Sequence, residues 1–207
     1  MEATGRSYGG QSAGARAAGR RERLVAATIT LLATRGEGST TMTAVCAEAG
    51  LTERYFYESF RSREDALVAA LDAVSDEIAT MAVAAIEGTS GEATDRVRAA
   101  IAGLVGWVEA DPAKARVALV ESTSHPLLRE KRHALLGVFA DLVAQEAETL
   151  YGDAAWPPGL ARVQGLLYVA GLAELVVAWM AGEVDLDAAE LTDVGTQAFE
   201  SLARRPS

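Results

Sequence analysis

After its first twenty or so residues, this chain places apolar side chains every third or fourth position almost to its end. That spacing sets one face of an α-helix toward a core. From Arg20 to Arg35, Leu24, Ala27, Leu31 and Leu32 share a face, and Gly36 and Gly38 end the run. Thr40 or Thr41 can cap a short helix from Met42 to Ala49, since a hydroxyl there accepts an amide that lacks a helical partner. Gly50 closes that helix in the left-handed conformation. Thr52 caps a second short helix, through about Phe60. Ser62, with Asp65 three positions on and Glu64 in the first turn, opens a long helix to about Glu87. Beyond the loop GTSGEA, Val97, Ile101, Leu104 and Val108 mark a helix over about 92–110. Asp111 and Pro112 start a short helix to about Glu121, and His125 and Pro126 interrupt the pattern. Leu135, Phe139 and Leu142 then define a helix over 127–151. The turn at Trp156–Gly159 precedes two final helices, roughly 159–182 and 187–204. No strand pair and no internal repeat intervenes, so the expectation is an all-α fold.

Composition sharpens this picture at four places. Residues 1–19 are Gly-, Ala-, Ser- and Arg-rich with little to bury, and read as a flexible arm. A single cysteine, Cys46, excludes an internal disulfide framework and suits a reducing, cytoplasmic compartment; no apolar leader opens the chain. The net charge of −10 is unevenly spread. Residues 1–70 carry 9 basic and 8 acidic side chains, whereas residues 71–207 carry 10 and 21. Only the first third can approach a polyanion without strong repulsion. Finally, Leu160–Gly182 holds just two charges, Arg162 and Glu174, and is nearly long enough to span a bilayer. Internal Gln164 and Glu174, and the acids after Gly182, fit no membrane anchor. A helix apolar nearly all round is instead one covered from two sides, by its own domain and by a partner chain.

Met42–Ala49, the Gly50–Leu51 turn and Thr52–Phe60 form two short helices joined by a tight Gly-containing corner, the helix-turn-helix layout. Val45, Leu51, Phe56 and Phe60 can pack on Leu24 and Leu31. This leaves Thr52, Glu53, Arg54, Tyr55, Tyr57 and part of Ser59 facing outward, side chains suited to phosphates and base edges. The stretch TTMTAVCAEAGLTERYFYESFRSREDAL, within Arg20–Leu71, resembles the DNA-binding signature of the TetR (tetracycline-repressor) family of transcriptional regulators. It has the Thr pair, AxxAGLT, Tyr57, Phe60 and SRED in the family's order and spacing.

The resemblance implies a DNA-binding unit over residues 20–66 and a helical ligand-binding and dimerisation domain over 67–207. It implies phosphate contacts from Thr41, Thr43, Tyr57 and Arg63, groove contacts from Thr52, Glu53, Arg54 and Tyr55, and a base or phosphate contact from Ser59. Arg20, Arg21 and Arg23 would touch the backbone or minor groove from the arm. It also implies a homodimer through the last two helices, a palindromic double-stranded DNA operator, and a small-molecule effector that releases a repressor. Arg54, Tyr55 and Glu58 depart from the family's usual residues. Glu58 is repulsive near phosphates unless Arg54 or Arg61 pairs with it, while Glu53 or Glu58 could instead accept from cytosine.

Elsewhere the residues suggest core rather than chemistry. Cys46 reads as a buried, inert thiol. His125 and His133 have no metal-ligand spacing, and no strand-turn-helix elbow exposes a serine. Neither metal, cofactor nor catalysis is therefore expected. Trp107, Phe139, Tyr168 and Trp179 lie on separate predicted helices and are candidates for an effector pocket. The competing reading is a helical small-molecule-binding protein without operator binding, against which the basic cluster and the exposed Arg/Tyr face weigh.

Overall fold

A computed structural model describes residues 12–205. Among these, nine α-helices and no strand occur, apart from one antiparallel bridge between Ala155 and Arg204. The helices are α1 (Ala13–Arg35), α2 (Met42–Ala49), α3 (Glu53–Ser59), α4 (Arg63–Gly88), α5 (Ala93–Ala110), α6 (Pro112–Leu119), α7 (Pro126–Tyr151), α8 (Pro158–Met180) and α9 (Ala188–Ala203).

The expected boundaries hold within a few residues except at the N-terminus. Ser12 accepts the Ala15 amide at 3.1 Å and caps α1, so the Ala-rich run Ala13–Gly19 is helix rather than arm. The remainder of the expected arm, through residue 11, lies outside the described residues. Of the hydroxyl caps the sequence suggests, Thr41 and Ser62 act as such and Thr52 does not. Thr41 accepts the Ala44 amide, Ser62 that of Asp65, and Asp111 that of Lys114. Asp187 and Glu190 cap α9 reciprocally, at 2.8 Å each way.

Two apolar cores run through the chain. The first joins α1, α2, α3 and the first half of α4 to Val117 and Ala118 of α6 and Leu128 of α7, with Leu24, Leu32, Phe56, Leu67 and Val74 at its centre. The second joins α5, α7, α8 and α9 around Val105, Tyr168, Val176, Leu191 and Phe199. Leu104, Trp107 and Leu119 pack against both. The chain is therefore one continuous body, in which α4 and α6 carry contacts from the N-terminal unit into the C-terminal bundle.

Gly165 of α8 sits directly on α7. A Cβ there would lie 2.3 Å from the Ala140 carbonyl oxygen, so close approach of these two helices requires glycine. Ala173 is also buried within the chain. Gly171, by contrast, meets nothing within 4 Å. It lies on an outward face with Leu160, Val163, Leu166 and Leu167, all large apolar side chains about half exposed. One face of α8 is thus covered by its own chain, and the other is not.

Candidate DNA-binding surface and effector cavity

The corner between α2 and α3 is built by Gly50, which takes the left-handed conformation (φ 61°, ψ 40°). Its neighbour Leu51 donates its amide to the Cys46 carbonyl at 2.9 Å, and Arg23 caps the Ala49 carbonyl at 2.5 Å. Phe56 is buried beneath α3, 5.5 Å between ring centroids from Phe60. These contacts fix α3 against α1 and turn its polar face outward.

On that face Thr52, Glu53, Arg54, Tyr57 and Glu58 are exposed. The Arg54 side chain is 84% exposed, and Tyr57 is 61% exposed. Thr52 begins α3 without using its hydroxyl as a cap, so that hydroxyl and the first amides of α3 remain for an anion. Thr41 and Thr43 are exposed at the start of α2. Glu58, the one residue of concern beside phosphates, is neutralised twice, by Arg54 at 3.0 Å and by Arg20 at 3.4 Å.

Five candidates have contacts that narrow their roles. Arg20 stacks on the Tyr55 ring at 4.4 Å, and Arg21 lies over Phe60 at 5.0 Å. With Arg23 they ride on α1 and brace α2 and α3, because the helix extends further toward the N-terminus than the sequence suggests. Tyr55 is half-buried beneath Arg20, and the Ser59 hydroxyl donates to the Tyr55 carbonyl at 3.0 Å.

Arg63 stands at the first position of α4 but turns inward. Its Nε donates to the Thr40 carbonyl at 2.7 Å, and Nη2 bonds both the Glu37 carbonyl and, at 2.6 Å, the Glu37 carboxylate. It ties α4 to the turn before α2. Arg61, next to it, is exposed, and no hydrogen bond or ion pair among the described residues engages its guanidinium. The stretch FRSRED alone does not distinguish it from Arg63.

Cys46 is buried, and desolvation, then the nearby Glu53 carboxylate, push its thiol above the ordinary range. His125 uses Nδ1 to accept the Leu127 amide at the start of α7. Ser122 and Ser124 donate to the carbonyls of Ala118 and Glu121. Among the described residues, no three or more His, Cys, Asp or Glu side chains gather as a metal set.

The second feature is a cavity of about 150 Å³ where the two cores meet, walled by α4, α5, α6, α7, α8 and α9. Phe139 and Tyr168 line it, as do Ile78, Leu119, Leu136 and Leu172. Trp107 and Trp179 do not. Trp107 sits between the cores with its indole N–H toward Glu77, and Trp179 donates to the Leu186 carbonyl at 2.8 Å, closing the α8–α9 corner. Burial holds the Tyr168 phenol in its protonated form, and its hydroxyl donates to the Gly195 carbonyl at 3.1 Å.

Among the lining residues that the sequence reading did not single out, Arg132 and Glu146 carry charge. The signal was present, since both fall on the stripe of Leu135, Leu136, Phe139, Leu142 and Val143 at helical spacing.

The fold and the outward face of α3 define a helix-turn-helix DNA-binding unit joined to a helical cavity domain. The family model for bacterial regulatory proteins of the tetR family matches residues 24–71, so the N-terminal domain is a TetR-type DNA-binding domain. This bears out the resemblance read from the sequence. No curated protein matches the chain.

Among solved structures, a TetR-like transcriptional regulator from Rhodococcus sp. RHA1 superposes with a TM-score of 0.70 at 18% identity, covering 87% of this chain and 93% of that one. The fatty acid degradation regulator FadR from Bacillus halodurans gives 0.73 at 17% identity, covering 90% and 97%. A TetR transcriptional regulator from Chloroflexus aurantiacus J-10-FL gives 0.69 at 20% identity, covering 90% and 96%. At these identities the likeness is one of fold, over 87% to 90% of this chain.

Proposed function

We propose that this protein is a cytoplasmic, homodimeric transcriptional repressor, released from a palindromic operator when a small apolar effector fills the cavity. The observation that carries this reading is the outward face of α3, on which the Glu58 carboxylate is doubly paired. It belongs to the part of the chain where basic and acidic residues balance. Thr41, Thr43 and Tyr57 hold phosphates, Thr52, Glu53 and Arg54 face the groove, and Arg61 joins them as a phosphate contact. Tyr55, Ser59, Arg20, Arg21 and Arg23 position α3.

The unpartnered α8 face supports dimerisation. Leu160, Val163 and Leu167 recur at the spacing of a helix-packing seam, and α9 flanks it. Two-fold pairing requires half-sites about 34–36 Å apart, one turn of DNA. Cavity and α3 communicate through shared helices. α4 lines the cavity with Ile78 and Met81 and reaches the α2 turn through Arg63, while α6 lines it with Leu119 and packs on α1. An effector that binds one spacing of the two α3 helices better than the other shifts the population, and DNA weakens effector binding by the same factor.

The test is selection of binding sites from a random duplex pool by the native chain and by Tyr57→Ala. Enrichment of an inverted repeat, lost in the variant, is the expected result. A native chain that selects nothing at low and moderate salt would instead make this a ligand-binding protein that does not read DNA.

A further inference from the structure

We propose that the ligand of this cavity is an amphiphilic carboxylate, an acyl chain lying along α7 with its head group on Arg132, and that it takes Arg132 from Glu174. As an effector this molecule rests on the reading above; as a ligand it rests on the cavity alone. Likeness to other regulators contributes nothing to it.

The wall selects the body of the ligand. Of the side chains lining the cavity, only Arg132, Glu146 and Tyr168 carry a nitrogen or oxygen, and the Tyr168 hydroxyl is already committed to Gly195. A compound with polar groups along its length would leave them unpaired, which disfavours it strongly. The two charges are fourteen positions apart on one helix, so they stand about 21 Å apart along its axis. The lining between them, Leu135, Leu136, Phe139, Leu142 and Val143, is apolar. An unbranched chain fits that length.

The ends select the head. Glu146, its side chain 14% exposed, is already neutralised by the largely shielded Arg96 through two bonds, 3.0 and 3.2 Å. A cationic head would have to break that pair. Arg132 differs. Its side chain is only 15% exposed, yet its one bond among the described residues, 3.1 Å, runs to Glu174, whose side chain is 69% exposed. An ion pair with so exposed a partner stabilises little. A ligand carboxylate can instead meet the guanidinium with two parallel hydrogen bonds away from water. Glu174 then returns to solvent it already largely faces. Since Glu174 shares α8 with the uncovered apolar face, the exchange also alters charge beside the dimer seam.

The test uses three probes of equal chain length, dodecanoate, dodecanol and dodecylamine, titrated calorimetrically into the full chain below their aggregation concentrations. Dodecanoate should bind roughly 10- to 100-fold more tightly than dodecanol, the range of a charge-assisted hydrogen bond over a neutral one, with dodecylamine weakest. Arg132→Gln should abolish that preference while leaving dodecanol affinity unchanged within about threefold, a spread inside ordinary context effects. Glu174→Gln should tighten dodecanoate by removing its competitor, a result that also stands if the Arg132 variant fails to fold. Equal affinity for acid and alcohol, weaker acid binding in Glu174→Gln, or no binding by any probe would overturn the proposal. Dodecanoate binding that left operator affinity unchanged would overturn the effector reading and leave the ligand class standing.

Discussion

Arg63 offers the sharpest separation between a residue that touches DNA and one that holds the DNA-binding unit in place. Its guanidinium makes three hydrogen bonds, to the Thr40 carbonyl and to the carbonyl and carboxylate of Glu37. Thr40 is fully buried, and the two ion-paired side chains are 26% and 22% exposed. Arg63→Met keeps the stem and removes all the donors. Fully buried bonds to a charged donor contribute about 1.5–3 kcal/mol each, and water reaching this partly open site reduces that to about 1 kcal/mol each. The expected loss is about 3 kcal/mol in all, or about 6–12 °C in melting temperature for a chain of this size. Operator affinity, measured by fluorescence anisotropy at several salt concentrations on a sample kept well below its melting point, should keep its salt slope. A phosphate contact would behave oppositely. Stability would stay level and the slope would flatten by about 0.9. That second pattern would refute the inward role of Arg63. Arg61→Ala, at a guanidinium that no described residue engages, should show it instead.

Four further outcomes follow from named contacts. Gly165→Ala places a methyl against the Ala140 carbonyl, where a Cβ has only 2.3 Å; α7 must move from α8, at a cost of about 1–3 kcal/mol in urea unfolding. Leu167→Lys puts a charge on the apolar face of α8, where Leu167 is 58% exposed; sedimentation should show a dimer turned to monomer, with a melting temperature that is lower and no longer rises with protein concentration. Cys46, buried and with its thiol pushed up by desolvation, should resist a thiol reagent in the native protein and react at once in denaturant. Glu64 is held below the ordinary carboxylate range, chiefly by its own backbone amide at the start of α4. Because the folded value is the lower one, its stabilisation is complete above the unfolded value of about 4.3 and fades as pH falls through the folded one. Glu64→Gln should therefore destabilise at neutral pH, and the gap from the native chain should close in acid.

What the sequence made legible follows from how each feature is encoded. The α2–α3 corner is written locally: Thr41 caps, Gly50 turns, and Phe56 with Phe60 marks the buried side, so a few neighbouring residues suffice. The start of α1 was misread because Ala13–Gly19 bury almost nothing, and an apolar stripe cannot reveal a helix that buries no face. The inward bonds of Arg63 are hidden from the sequence for a different reason. Its partners, Thr40 and Glu37, are more than twenty positions away, and spacing along α4 says nothing of them. Gly165 likewise meets Ala140 of α7, a contact that spacing along α8 does not show.

The cavity is the hardest feature to read in advance, because it is a place where side chains fail to meet. Large aromatics drew attention, yet Trp107 and Trp179 fill space that needs filling, one between the two cores and one at the α8–α9 corner. What distinguishes the cavity is the pair of charges bounding an apolar stripe on α7. A charged residue on a core-facing stripe is costly unless it has a partner. Glu146 meets that cost with Arg96, which is itself largely shielded, whereas Arg132 relies on a carboxylate that stands mostly in water. One end of the cavity is thus electrostatically closed and the other is held by an exchangeable partner. That inequality gives the cavity a direction: an anionic head belongs at Arg132, and the apolar chain behind it runs toward Glu146, between the two cores that α4 and α6 connect to the DNA-binding unit.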